Sequence, residues 1–426
     1  MDYRHPRYQI ADAIKLIYRN GLTTTSGGNI SIRGADGSIW ITPSAIDKGS
    51  LTEKDIVRVE PNGTLVGLHK PSSELPFHQA IYNVRPDVNA IIHAHPPALV
   101  SFSIVRKTPN TAIIPQAKFL CGEVGYAPYE LPGSKELGES IAAAFDKGAQ
   151  SVIMENHGTV VGGIDLSEAF MRFETLEFCA KTSIRAGIIG GIKALSTEQI
   201  NRFENRENLF DEFENDYQNT KERLTRHHLQ EITHRACRQN LMISSYGTIS
   251  SRVSHNTFLI NPTNFNRRLL DINDFVLIRN GQRERGKTPS RAVHLHAQIY
   301  SKNPKVTCII STQSPNLAAY CVANKRMDTR TIPESYIMLE DIPTLPYGSQ
   351  FDGGQEVVET LGRRVPIVLI ANDSVLVTGE SILETFDRLE VAEFSANSLI
   401  DSHIIGELQP IKDAELQDLK DKFLAE

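Results

Sequence analysis

Ile91-Ile92-His93-Ala94-His95-Pro96-Pro97 is an apolar, β-prone run that ends in two histidines and two prolines. Side chains on a strand alternate between faces, so His93 and His95 point the same way. Pro96 then breaks the strand off. Two imidazoles on one face of a strand end make two arms of a metal clamp. The remaining arms have to come from elsewhere in the chain.

Around this strand the sequence alternates helices and short strands. Ile10, Ala13, Ile14 and Ile17 recur at helical spacing, which places an amphipathic helix over residues 8–20, stopped by Gly21. An alternating strand follows the Gly27-Gly28 turn and ends at Arg33. A second spans 38–43 after the Asp36-Gly37 hairpin signal, and a third 55–59. A helix from about Glu74 to Val84, with Ser73 as its cap, leads into the opening strand over about 88–93. A helix over 134–147 precedes a buried strand at 150–154, which runs into Glu155-Asn156-His157-Gly158. A long amphipathic helix over 166–186 closes the series, with Cys179 on its apolar face.

The series then starts again. His296-Ala297-Gln298-Ile299-Tyr300 answers His78-Gln79-Ala80-Ile81-Tyr82, and Pro346-Tyr347 answers Pro128-Tyr129, both at an offset of 218. Tyr246-Gly247-Thr248-Ile249-Ser250 answers Gly27-Gly28-Asn29-Ile30-Ser31 in pattern, and Asn261-Pro262-Thr263 answers Thr42-Pro43-Ser44. This is the duplication of a whole domain rather than a short-period array. Residues 1–195 form the first domain, 196–225 a charged, solvated helical linker, and 226–426 the second domain.

The two copies differ where chemistry is expected. Ile309-Ile310-Ser311-Thr312-Gln313 occupies the place of Ile91-Ile92-His93-Ala94-His95, so both histidines are lost while the apolar strand persists. Asp373 replaces His157, and Ala292 replaces Glu74. Three histidines with an open coordination position form a catalytic zinc site, and manganese or cobalt also enter nitrogen-rich sets. A bare His-x-His is more often a hydrogen-bonded core pair than a ligand pair. Here a third histidine follows a buried strand in Asn156-His157-Gly158, and the copy loses all three together. His93, His95 and His157 are therefore read as the ligands of one metal ion per chain. Glu74 beside that ion would serve as a proton-abstracting base. Ser72 and Ser73 at a helix start, with the Gly28-Asn29 turn and Ser44, offer donors to a phosphate or carboxylate. His78 persists in the copy that has lost the chemistry and is read as structural.

Composition excludes several classes. Hydrophobic residues make up 40% and charged residues 23%, with a formal net charge of −6, which suits neither nucleic acid nor an anionic membrane surface. No apolar run approaches a membrane span, and Met1-Asp2-Tyr3-Arg4-His5-Pro6 is no signal peptide. Five scattered cysteines without a C-x-x-C pair point to reduced thiols and a cytoplasmic setting.

Taken in order, Gly28-Asn29-Ile30-Ser31, Ile41-Thr42-Pro43-Ser44, Pro71-Ser72-Ser73-Glu74, His93-Ala94-His95 and Asn156-His157-Gly158 resemble the class II aldolase/adducin family, closest to its L-fuculose-phosphate aldolases. The resemblance covers about residues 5–195 with specific motifs and about 226–410 as a degenerate copy. It implies an α/β fold of two tandem three-layer α/β/α domains, each around a mostly antiparallel central sheet. It implies zinc on His93, His95 and His157, with Glu74 as acid/base. The substrate phosphate would lie among Gly28, Asn29, Ser44, Ser72 and Ser73. The implied reaction cleaves a ketose phosphate such as L-fuculose 1-phosphate to dihydroxyacetone phosphate and an aldehyde, through a zinc-stabilised enediolate. Related epimerases carry Asp at the Glu74 position, so Glu favours the aldolase side. Epimerisation, decarboxylation or dehydration on the same scaffold, and a non-catalytic adducin-like binding module, are the alternatives. The family's fourfold rings imply a homodimer that builds a pseudo-fourfold ring, with Tyr336 a candidate donated hydroxyl. The sequence departs from the pattern at Ala45, where a glycine is usual, and between Thr111 and Leu120, where a tyrosine proton donor is missing. Gln116 and Lys118 are the polar groups in that segment.

Overall fold

A computed structural model of the chain describes residues 4–204, 210–215, 217–362 and 364–424. They divide into two compact units, one built from residues up to Thr111 with Gln116–Lys181, the other from Ala112–Pro115 and Thr182 onward.

The first unit holds strands β1 (Asn29–Arg33), β2 (Ile39–Ile41), β3 (Val57–Val59), β4 (Leu65–Val66), β5 (Ala90–Ala94), β6 (Val124–Ala127), β7 (Ser151–Met154) and β8 (Gly158–Gly163). They form one sheet in the order β4-β3-β2-β1-β5-β8-β7-β6. Only β6 and β7 run parallel; the other neighbours are antiparallel. The opening strand is β5, two residues shorter at its start than the apolar run suggested and one longer at its end. It lies mid-sheet between β1 and β8, and every residue in it is buried.

Burial on both sides of β5 is what makes three layers. Ala90, Ile92 and Ala94 face Ile10, Ile14 and Ile17 of the helix Pro6–Arg19 and Phe170 and Phe173 of the helix Leu166–Ile189. Ile91 faces the other way, toward Phe77 and Ile81 of the helix Leu75–Val84 and Ile141 and Phe145 of the helix Lys135–Asp146. Each of these Ile and Phe side chains contributes about 1.5–3 kcal/mol by leaving water, so β5 is fixed in register from both faces. His93 shares the parity of Ile91. It therefore comes up on the Leu75–Val84 side, edge-on to Phe77 at 5.6 Å between ring centroids.

Behind β5 the chain turns at Pro96 into the helix Pro97–Ile104, which has no side-chain cap of its own. Glu177 caps it instead, accepting from Ala98 N at 3.3 Å and Leu99 N at 3.1 Å. The second unit repeats the device, with Glu393 accepting from Asn316 N and Leu317 N, both at 2.9 Å.

That second unit holds β9 (Glu212–Phe213), β10 (Thr248–Ser254), β11 (Thr257–Ile260), β12 (Val276–Arg279), β13 (Gln282–Glu284), β14 (Cys308–Thr312), β15 (Thr344–Leu345), β16 (Ile367–Ile370) and β17 (Ser374–Gly379). The sheet order is β15-β16-β17-β14-β10-β11-β12-β13-β9. The triplet β10-β14-β17 reproduces β1-β5-β8. Thr248 lies opposite Ser311 as Asn29 lies opposite His93. Both units thus have the expected layered α/β plan.

The expected solvated linker is a correction. Its helix Thr197–Glu204 buries Ile200 and Phe203, and β9 extends the second sheet by pairing parallel to β13. The helix Thr220–Arg238 begins inside the stretch read as linker. It buries Arg226 between Glu222 at 2.8 Å and Glu284 at 3.0 Å. High charge density in the sequence concealed these pairs, because buried ions look like surface ions until their partners are known. Residues 205–209 of that stretch lie outside the described set. No helix among the described residues is long and apolar enough to cross a membrane. The five cysteines are buried thiols.

Candidate metal centre

His93 and His95 come from the end of β5, and His157 from the tight turn between β7 and β8. Asn156 makes that turn with φ +53°. Their ring centroids lie 4.7, 5.0 and 5.1 Å apart, and one nitrogen from each falls within 4.8 Å of the others. Glycines let the backbone come this close. A Cβ on Gly28, which has φ +74°, would sit 2.8 Å from the His93 carbonyl oxygen. One on Gly158 would meet the Ala94 carbonyl at 2.6 Å.

The protonation pattern suits a metal. His93 Nδ1 lies 2.9 Å from the Thr159 carbonyl oxygen, which can only accept, so Nδ1 carries the proton and Nε2 is left with its lone pair. His93 Nε2 and His95 Nε2 are buried and have no hydrogen-bond partner. Burial, first, pulls His95 down to about 3, and a proton on His93 or His157 would lower it in the same direction. Burial likewise pulls His157 down to about 4. Neutral imidazoles with bare nitrogens turned toward one point are the donor set for a borderline metal ion, and the residues present fit one.

Glu74 stands over this point. It is the N-cap residue of the helix Leu75–Val84, yet its side chain makes no capping bond. The cap expected of Ser73 is absent too. Ser72 Oγ accepts from Glu74 N at 3.3 Å instead, and Ser73 is exposed. The carboxylate is thereby free to turn inward, with Oε2 3.2 Å from His93 Nε2 and Oε1 3.6 Å from His157 Nε2. Burial alone would raise its pKa. A proton on His93 or His157, with the Asn29 hydrogen bond, would outweigh burial and hold the group well below the usual carboxylate range.

The chain matches the model of the family "Class II Aldolase and Adducin N-terminal domain" twice, over residues 8–184 and 227–400. It belongs to this family. The chain is 36% identical over 168 residues to an L-fuculose phosphate aldolase of Methanococcus maripaludis, covering 39% of this chain and 89% of that one. It is 33% identical over 213 residues to a 5-deoxy-D-ribulose 1-phosphate aldolase of Bacillus thuringiensis, covering 49% and 95%. It is 34% identical over 168 residues to a 3-oxo-tetronate 4-phosphate decarboxylase of Haemophilus influenzae, covering 38% and 80%. The family thus includes aldolases and a decarboxylase.

The residues read as a phosphate pocket are brought together in part. An isolated bridge joins Pro43 to Pro71, and Ser44 N donates to the Lys70 carbonyl at 3.0 Å, so Ser44 lies beside the Ser72-Ser73 loop. Ser72 N donates to the Thr42 carbonyl at 3.1 Å, which removes that donor from a ligand. Asn29 is not free either: its side-chain amide donates to Glu74 Oε2 at 2.7 Å. Of the two polar groups in the segment without tyrosine, Lys118 is paired with Glu123, while Gln116 Oε1 is buried without a partner.

What sequence reasoning missed is the ground beneath Glu74. His78 Nε2 lies 2.5 Å from Asn29 Oδ1, and His78 Nδ1 lies 2.7 Å from Ser31 Oγ. Ser31 Oγ in turn lies 2.7 Å from the Tyr82 hydroxyl. The signal was present in part, since His78 and Tyr82 are one helical turn apart and face the same strand.

Proposed function

We propose that the first unit is a metal-dependent lyase that breaks a carbon–carbon bond in a ketose phosphate, releasing dihydroxyacetone phosphate and an aldehyde. The observation that carries this reading is the Glu74 carboxylate set 3.2 Å from His93 Nε2 and 3.6 Å from His157 Nε2, beside the three-histidine cluster. Zinc, or manganese or cobalt, held by His93, His95 and His157 would act as a Lewis acid toward adjacent carbonyl and hydroxyl oxygens of the sugar. Glu74 moves the proton at the carbon from which the aldehyde departs. Ser44 and Ser73, on loops joined by the Pro43–Pro71 bridge, would supply donors to the phosphate. Glu74 is 9% exposed, which keeps most bulk water from the carboxylate.

A second reading is decarboxylation of a phosphorylated 3-oxo acid. It is favoured by the absence of tyrosine between Thr111 and Leu120 and by the pairing of Lys118 with Glu123, which leave no phenol or unpaired amine in that segment to take the proton from the hydroxyl that becomes the aldehyde carbonyl. A panel of ketose phosphates and 3-oxo acid phosphates, assayed with zinc and after chelation, separates the two. Dihydroxyacetone phosphate with no carbon dioxide supports the aldolase. Carbon dioxide release replaces it with the decarboxylase, and no turnover of any member removes both.

A further inference from the structure

The two units share one buried construction and differ in what is built on it. In the second unit Tyr300 OH lies 2.7 Å from Ser250 Oγ, which lies 2.8 Å from His296 Nδ1. This matches Tyr82, Ser31 and His78. His296 Nε2 ends 3.3 Å from Ser311 Oγ, in the place of His93, and goes no further. Thr248, in the place of Asn29, turns to Ser290 at 2.7 Å. The stem Tyr-Ser-His therefore belongs to the scaffold. The head, Asn29 and Glu74, belongs to the metal-bearing unit alone.

In the first unit the directions of the hydrogen bonds are forced. The Asn29 amide presents its nitrogen to Glu74 Oε2 and its oxygen to His78 Nε2. That oxygen only accepts, so His78 carries its proton on Nε2. His78 Nδ1 is then bare and accepts from Ser31, whose oxygen accepts from Tyr82. Every donor points toward the carboxylate. Asn29, His78 and Ser31 are 3%, 0% and 0% exposed, so water does not compete for these bonds.

We propose that Asn29 and His78 are positioning residues for Glu74, and that the Asn29 side chain serves the carboxylate rather than the substrate phosphate. Asn29 occupies Oε2 and leaves Oε1 as the oxygen that exchanges a proton with substrate. His78, held by the stem, fixes the Asn29 amide plane. This assignment rests on the lyase reading for its kinetic consequence but not for its structural one.

The test has two arms, on the full chain. In the first, long-range nitrogen–proton NMR reads the tautomers of His78 and His296 in protein with and without zinc, with His296 as an internal control. His78 is expected as the Nε2-protonated form, and Asn29→Ala is expected to shift the His78 Nε2–H signal while leaving His296 in place. An Nδ1-protonated His78, or no response to Asn29→Ala, overturns the relay even if the enzyme is active. In the second arm, Asn29→Ala is expected to lower kcat about 10- to 100-fold, the range for removing an outer-shell partner. KM and inhibition by inorganic phosphate are expected to change less than about threefold on the same footing. His78→Gln, which keeps a donor, is expected to recover part of the kcat that His78→Phe loses. A rise in KM and in the phosphate inhibition constant, with kcat retained, overturns the proposal and returns Asn29 to the phosphate site. Absence of all turnover with the expected tautomer and shift removes the lyase reading and leaves the positioning contact standing.

Discussion

Two copies of one domain sit in this chain, with the same strand ladder and different side chains at its centre. Asn29 faces His93 in one ladder, and Thr248 faces Ser311 in the other. Three histidines and a carboxylate converge in the first unit, whereas Ser311, Gln313, Asp373 and Ala292 stand in their places in the second. The lesson is a separation of roles. What both copies retain, such as the Tyr-Ser-His stem and the glutamate cap of the helix after β5 or β14, holds the fold. What one copy lacks is the set of residues to which the proposed chemistry is assigned.

The largest expected effect is on turnover. Glu74→Gln keeps the shape and removes the base, so kcat should fall about 10²- to 10⁴-fold on whichever substrate the panel identifies. Ala292→Glu in the second unit should add no activity, because no histidine cluster stands opposite it. Steady-state rates of the two variants check this, and retained turnover in Glu74→Gln would collapse the distinction between the copies.

Acid stability should show the reverse, a likeness. Burial pulls His78 and His296 down to about 3 from an ordinary 6.5. The folded state thus favours neutral imidazole, and below pH 6.5 the unfolded chain binds more protons. Stability is present above 6.5 and is lost as pH falls toward about 3, by roughly 1.4 kcal/mol per pH unit for each histidine. Chemical denaturation of His78→Phe and His296→Phe across that range should show each substitution flattening the slope to a similar degree. The stem hydroxyls give a smaller shared effect. Ser31→Ala and Ser250→Ala each leave a buried imidazole nitrogen and a tyrosine hydroxyl with one partner fewer, at about 1–3 kcal/mol. Urea midpoints should fall for both, and an effect confined to Ser31 would mean that the stem serves only the metal unit.

The smallest contrast lies in a loop. Ala45 has φ +56°, and its counterpart Asn264 has φ +52°. Asparagine tolerates this left-handed region, while alanine pays roughly 1 kcal/mol for its Cβ. Ala45→Gly should therefore raise the melting temperature by a few degrees, and Asn264→Ala should lower it.

Much of this was legible in the sequence. Period-2 parity placed His93 and His95 on one face, the repeat marked them as expendable for folding, and Glu74 stood at a helix start. The rest depended on contacts that spacing cannot show. Asn29 and Glu74 are 45 residues apart and meet only through the pairing of β1 with β5 and the packing of the Leu75–Val84 helix. His78 recurs in both copies, so its recurrence spoke for the scaffold and concealed its contact with Asn29. Phe203 was lost in a charged stretch, and Arg226 at its edge pairs with Glu284 from another segment.

The contrast between the copies is tested most directly by counting metal. Calorimetric titration of the metal-free full chain with zinc should give one equivalent bound per chain. Gln313→Ala should still bind one, and His95→Ala should bind none tightly. Two equivalents per chain, or one equivalent that survives His95→Ala, would contradict the assignment of the chemistry to the first copy alone.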